Sequence, residues 1–325
     1  MEKLIIFAVS LFAMAIAAPL SDSNSTSRAT DMWSEYINLS FLGPGIFGVP
    51  NENIGKVLEN FANIKGNPEE QGSYLEGDLL IPLSRARNGL VAQATRWPNG
   101  VVPYEIKGSF SASDMAMIEK AFKMFHAHTC IRFVRHTNEA DYIKIVSGRS
   151  GCWSSVGRIG GPQEVNLQSP GCLNQIGVPI HEFLHVLGFL HEQNRSDRDK
   201  SVLIKWQNIK PGTTDNFQKA NAGTTSNYGV SYDFNSVLHY SAHAFSVNGQ
   251  PTIVAKTKTS ANMGQRRGFS LGDLKKVNSM YHCSSNQKGP LVKPTRKGGV
   301  QKPQAQPEGT FFENVAAGIA NLFKP

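Results

Sequence analysis

His181-Glu182-Phe183-Leu184-His185-Val186-Leu187-Gly188-Phe189-Leu190-His191-Glu192 is the stretch from which the rest of the chain is best read. His181 and His185 are four apart, so on a helix they project from one face, one turn above the other, and can share a metal. Glu182 is next round the helix, beside the metal rather than on it, where a base for an attacking water is needed. Gly188 can adopt the left-handed conformation that ends a helix, which lets the chain reverse and bring in His191 as a third nitrogen ligand. Three protein ligands leave one position of a tetrahedral ion open. A bare His-Glu-x-x-His recurs by chance on helices with exposed side chains. The longer pattern, with five identities at fixed spacing, points to zinc.

The stretch is similar to the zinc motif of the metzincin clan and, within it, of the astacin family. The clan likeness rests on the three histidines and Gly188; the family likeness rests on Phe189 and on Glu192 directly after the third histidine. Trp97-Pro98-Asn99-Gly100-Val101-Val102-Pro103-Tyr104 resembles the family's opening strand, and Thr129-Cys130-Ile131-Arg132-Phe133 its next one. Arg195, Asp197, Arg198 and Asp199 follow the motif as they do in that family, and Tyr232-Asp233-Phe234-Asn235-Ser236-Val237-Leu238-His239-Tyr240 resembles its later turn. The likeness covers about residues 88–283. It implies an α+β, metzincin-like two-lobed protease domain, with a mixed twisted sheet and helices above a zinc cleft and an irregular C-terminal lobe. It also implies one Zn2+ per chain and peptide or protein substrates.

The chain has 325 residues, enough for one large domain with extensions. Lys3 precedes an apolar run at residues 4–18, with Ala15 and Ala17 placed for cleavage, which reads as a secretory signal peptide over 1–18. The run is short for a membrane span of about 20 residues. Cys130, Cys152, Cys172 and Cys283 are an even number in a chain bound for an oxidising compartment, so two disulfides are expected. Sequence alone leaves three pairings open. The family resemblance implies Cys130 with Cys283 and Cys152 with Cys172. Asn24, Asn38 and Asn194 stand in N-glycosylation sequons. The net charge of +8 would suit a polyanion, but half of it lies after Cys283, where six basic residues face two acidic ones. With no nucleic-acid motif present, a solvated extension accounts for it and no nucleic-acid partner is expected.

Residues 19–87 read as a propeptide: rich in Asn, Ser and Gly, free of cysteine, and ending at Arg85-Ala86-Arg87, a substrate for an activating trypsin-like protease. Within it, Tyr74-Leu75-Glu76-Gly77-Asp78-Leu79 resembles the astacin pro-segment motif, which implies Asp78 as the zymogen's zinc ligand. Where the family has an aromatic residue, this chain has Leu75, with Tyr74 one position earlier. The resemblance further implies that the ammonium group of Asn88, freed by cleavage, latches onto Glu192.

The catalytic domain is assigned to residues 88–283. Strands are predicted at 101–106, 131–134, 142–146 and 164–167. A helix follows caps offered by Ser111 and Ser113 and carries Met115, Ile118, Phe122 and Phe125. The zinc helix is predicted to start near Pro179, and a last helix at 270–280 carries a Ser270/Asp273 capping pair. Residues 284–325 form a basic Pro-, Lys- and Gln-rich tail. In it, 311–323 can form a short amphipathic helix, either docked on the protease domain or, as the less favoured alternative, in contact with a membrane or partner.

Zinc on His181, His185 and His191 would act as a Lewis acid, and Glu182 would carry protons as general base. The family resemblance gives Tyr240 the role of stabilising the transition state. It also implies a methionine beneath the metal where this chain has Leu238, a swap of similar volume that should cost under about 1.5 kcal/mol. His239 and His243 are four apart but fall across a turn rather than a helix, so a second metal pair is not expected. A binding protein that keeps the fold without activity would be expected to have lost its base or ligands, and all four residues are intact. A third class, acting through the basic tail alone, would need residues 284–325 to suffice.

Overall fold

The structure, a computed structural model, describes residues 50–59, 66–80 and 96–284 apart from positions 221 and 224. The expected signal peptide, Asn24, Asn38, the cleavage site at 85–87, Asn88 and the tail beyond Ser284 lie outside the described residues. Ahead of the main domain, helix α1 (Glu52–Leu58) is capped by the Asn51 side chain. A five-stranded sheet follows, built from β1 (Val101–Ile106), β2 (Arg132–Arg135), β3 (Tyr142–Val146), β4 (Cys152–Ser154) and β5 (Pro162–Leu167). Its order is β2-β1-β3-β5-β4, with β4 antiparallel to β5 and the other pairs parallel.

Period-two alternation makes β3 a strand: Ile143 and Ile145 are buried while Tyr142, Lys144 and Val146 are only half covered. Helix α2 (Ala112–His128) packs on the sheet. Its capping box is formed by Ser111 and Asp114, while Ser113 is exposed inside the first turn. Ile118, Phe122 and Phe125 are its buried stripe, and Met115 is only partly covered. Phe122 stacks on Phe133 of β2 at 4.4 Å, and both meet Phe183 of the zinc helix at 5.0 and 5.1 Å. Side chains of this kind contribute about 1.5–3 kcal/mol each on burial, so the cluster fixes the zinc helix against the sheet.

That helix, α3 (Gly177–Val186), starts two residues before Pro179 because the Gly177 N–H finds an acceptor in the Arg266 carbonyl at 2.8 Å. β2 lies one residue later than predicted and β5 begins two residues earlier; β4 was not predicted. The second lobe holds β6 (Val202–Ile204) and β7 (Ile253–Ala255), an antiparallel pair, among 3-10 turns and loops. A small core of Val202, Ile204, Ile209, Phe217 and Ile253 packs there with Tyr240. Helix α4 (Leu271–Met280), capped by Ser270 and Asp273 as predicted, returns Val277 and Met280 to the first core.

Cys130 bonds Cys283 and Cys152 bonds Cys172, the pairing the resemblance implied. The first closes a loop of 153 residues, worth about 5 kcal/mol in the chain-entropy picture. It ties the end of α4 to the strand entering the sheet. Among the described residues no helix is long and apolar enough to cross a membrane.

Candidate active site

α3 places His181 and His185 on one face, and both are buried. Gly188 at φ +106° ends the helix; a Cβ there would meet Met280 Cε at 2.9 Å. The chain then turns and brings His191 back. The Nε2 atoms of His181 and His185 are 3.0 Å apart, and those of His181 and His191 3.2 Å. The Nδ1 atoms all point outward as donors: His181 to the Val237 carbonyl at 2.8 Å, His185 to the Phe189 carbonyl at 2.7 Å, His191 to Glu76 Oε2 at 2.7 Å. Each Nε2 is thereby left as a lone pair aimed at its neighbours, an arrangement that repels unless a cation sits among them. Donors about 2.0–2.1 Å from one tetrahedral ion lie roughly 3.3 Å from each other, so the histidines fit zinc.

Asp78 Oδ2 completes the group, 2.8 Å from His181, 3.7 Å from His185 and 3.3 Å from His191. Burial alone would raise the Asp78 pKa, but the neighbouring histidines hold it well below the usual carboxylate range. His191 is pulled down by burial and more strongly up by Asp78 and Glu76, to about 10. The group of Asp78 with the three histidines therefore demands a cation, whether proton or metal. Glu182 is fully buried, and among the described residues neither of its carboxylate oxygens has a hydrogen-bond partner. Burial, then Asp78 and Glu69, push its pKa well above normal.

Four carboxylates of residues 66–80 enter this cleft. Glu76 and Gly77 both have positive φ, which turns the chain sharply and delivers Asp78 to the histidines. Glu69 pairs with buried Arg266, and Glu70 accepts from the Ser241 N–H at 2.6 Å and its hydroxyl at 2.7 Å. Leu79 bridges Ser154 in parallel, so the segment adds to the sheet edge beside β4. Leu75 is buried, while Tyr74 turns away from the histidines to donate to the Ser150 carbonyl at 2.7 Å and meet Trp153 edge-on.

Tyr240 is buried with its ring 4.8 Å from that of His191, and its hydroxyl donates to the Glu76 carbonyl. Leu238 belongs to the first core, and its carbonyl accepts from the Glu192 N–H at 3.1 Å. His239 is buried between the Tyr232 hydroxyl and the Tyr240 carbonyl, each at 2.7 Å. It is not part of the metal-capable group found among the described residues. Glu192 is buried as well, already held by Arg195 and Lys276. Asn194 is a correction. Its side chain is fully buried, donating to the Asn216 carbonyl at 2.9 Å and accepting from Arg198 at 3.3 Å, so the folded domain has no room for a glycan there.

Glu69, Glu70, Glu76, Arg266 and Lys276 were not read from sequence as parts of the site. Only Glu76 carried a local signal, being two residues from Asp78.

A sequence model of the peptidase family described as Astacin matches residues 90–282. Zinc metalloproteinase nas-7 of Caenorhabditis elegans is 44% identical over 217 residues, 66% of this chain and 56% of that protein. High choriolytic enzyme 1 of Oryzias latipes is 42% identical over 215 residues, 64% of this chain and 78% of that protein. Its solved structure, a hatching enzyme zinc-protease, superposes with a TM-score of 0.56 at 41% identity, covering 61% of this chain and 99% of that one. The match to nas-15 of Caenorhabditis elegans covers 42% of that protein, so the chain spans about half the length of some relatives. Because the family match takes in more than half of the sequence, and the histidine geometry agrees with it, the chain belongs to the astacin family.

Proposed function

We propose that the chain is a secreted zinc endopeptidase made as a zymogen. The observation that carries this reading is the convergence of three outward-anchored histidines beside a buried glutamate with no hydrogen-bond partner. His181, His185 and His191 would hold zinc, which supplies Lewis acidity to the scissile carbonyl and acidifies water. Glu182 takes the proton of the attacking water and returns it to the leaving amine. Tyr240, freed from the Glu76 carbonyl, donates its hydroxyl to the oxyanion. The substrate backbone pairs with the edge beside β4 that residues 78–80 occupy in the zymogen.

In the proform Asp78 would be the fourth ligand, with Glu76 holding His191 from behind. Cleavage after Arg87 by a trypsin-like protease frees the segment. Release also frees Arg266 and the Ser241 donors from Glu69 and Glu70, which favours acidic side chains in the substrate. Secretion is supported by the residue 1–18 pattern and the two disulfides.

Trypsin treatment of the purified proform should produce cleavage of a peptide library that a chelator abolishes and added zinc restores. Arg266→Ala should selectively lose the substrates with acidic residues. Chelator-resistant cleavage would overturn the mechanism.

A further inference from the structure

Helix α1 sits in a groove that glycines on both sides make narrow. Gly55 lies so close to the loop before β4 that a Cβ there would fall 2.1 Å from the Arg149 carbonyl oxygen. A Cβ on Gly151 would meet Ile54 at 2.8 Å, and one on Gly171 would meet Leu58 Cβ at 3.0 Å. Gly171 has no positive φ, and the three atoms nearest to its added Cβ all belong to Leu58. Its backbone would accept a side chain, so what the glycine provides is room for Leu58. Leu58 is fully buried, in the same core as Cys152, Leu167, Cys172 and Leu173. Gln168, 1% exposed, spans the groove: its Oε1 accepts from the Gly151 N–H at 2.9 Å and its Nε2 donates to the Gly55 carbonyl at 2.8 Å.

The groove opens into the cleft. The Tyr74 hydroxyl accepts from the Asn51 N–H at 2.9 Å and donates to the Ser150 carbonyl at 2.7 Å, so the start of α1 and the segment over β4 meet at Ser150. Ile54, Tyr74, Leu80 and Trp153 form one apolar cluster across that junction.

We propose that in the mature enzyme this groove is a remote substrate subsite, which takes an aliphatic side chain and one backbone carbonyl of a polypeptide running past the Ser150 end of β4. This inference rests on the zymogen reading above. Loss of residues 50–80 uncovers the apolar socket at Gly171 and leaves Gln168 Nε2 without its acceptor. Both changes are unfavourable until another polypeptide reverses them. Leu58 shows what fits the socket, and the Gly55 carbonyl shows what fits the amide. Arg149 and Glu59 pair at the rim, but both are exposed, so the rim adds little and the socket decides. The Ser154 N–H donates to the Asp78 carbonyl beside the histidines, and Ser150 is four residues earlier in the chain. At strand spacing the socket therefore takes a side chain roughly five residues from the scissile bond.

The test uses the trypsin-activated chain and labelled peptides that share one cleaved core sequence and carry polar extensions at both ends. Leucine in place of serine roughly five residues from the scissile bond, on one side only, should raise kcat/KM at least about tenfold, mostly through KM. Gly171→Val fills the socket and should remove that preference, while the unextended core peptide is cleaved within about twofold of wild type. Because Gly171→Val also crowds Leu58 in the proform, it is combined with Leu58→Ala so that the proform folds. Leu58→Ala alone should yield a mature enzyme with the full leucine preference.

Binding of the extended peptides to activated Glu182→Ala protein, read by fluorescence anisotropy, should show the same discrimination and lose it when Gly171→Val is added. That readout needs no cleavage, so failure of the proposed peptidase chemistry is distinguishable from failure of this inference. Equal kcat/KM and equal Kd for leucine and serine at every position would overturn the proposal, as would a leucine preference that survives Gly171→Val. Mass spectrometry that finds residues 50–59 still bound after activation would also overturn it, since the groove would then be closed to substrate.

Discussion

Residues 101–186 place five strands and two helices around one apolar core, while the described residues of 192–268 hold only two three-residue strands among 3-10 turns. In the first region the aromatic cluster of Phe122, Phe125, Phe133 and Phe183 fixes the zinc helix by packing. In the second, buried polar groups replace much of that packing. Arg198 spans the Gln193 carbonyl and the Asn194 side chain, and the Tyr240 N–H donates to Gln193 Oε1 at 3.0 Å. His181, His185 and His191 sit where the two regions meet, two on the packed helix and one beyond its end, towards the polar side. A ligand set built this way is rigid on one side and depends on charge and hydrogen bonding on the other.

Phe125→Ala tests the packed side, and is expected to cost about 3–5 kcal/mol in denaturant unfolding. A cost under about 1 kcal/mol would show that the first core is not what holds the helix. Acid tests the polar side. Burial lowers the His239 pKa to about 4 despite its bond to the Tyr240 carbonyl, below its ordinary 6.5. As pH falls through 6.5 the unfolded chain takes up a proton that the folded one refuses. Stability is therefore full above 6.5 and lost towards pH 4, by about 3 kcal/mol at most. Hydrogen exchange, corrected for intrinsic rates, should show protection failing first in residues 192–268 while β1 and β3 keep theirs. Equal loss in both regions would erase the distinction.

The smallest effect is expected at Leu238. Leu238→Met swaps side chains of similar volume in a well-packed place, so stability should move by under about 1.5 kcal/mol with zinc content unchanged. A large gain in zinc affinity would mean that leucine leaves the ligands misaligned.

The ease of reading each part from sequence follows the range of the interactions. The three ligands and Glu182 fall within eleven residues, and helical spacing plus one left-handed glycine sets their geometry. Strands with clear alternation, such as β3, were legible too. β4 was not, because Cys152–Ser154 is three residues long, buried throughout, and defined by its partner β5. Glu76 meets His191 across 115 positions and Lys276 meets Glu192 across 84, and no local pattern encodes such pairs. Asn194 misled for the same reason: a sequon is a three-residue property, whereas burial of its amide is decided by Asn216 and Arg198.

The most direct test of the account is metal content measured together with cleavage in the trypsin-treated chain, wild type beside Glu182→Ala. The account predicts one zinc per chain in both proteins and peptide cleavage only in the wild type, with a loss of at least about 10²–10⁴-fold in the variant. Wild-type protein that cleaves without metal, or a Glu182→Ala variant that cleaves as well as wild type, would contradict it.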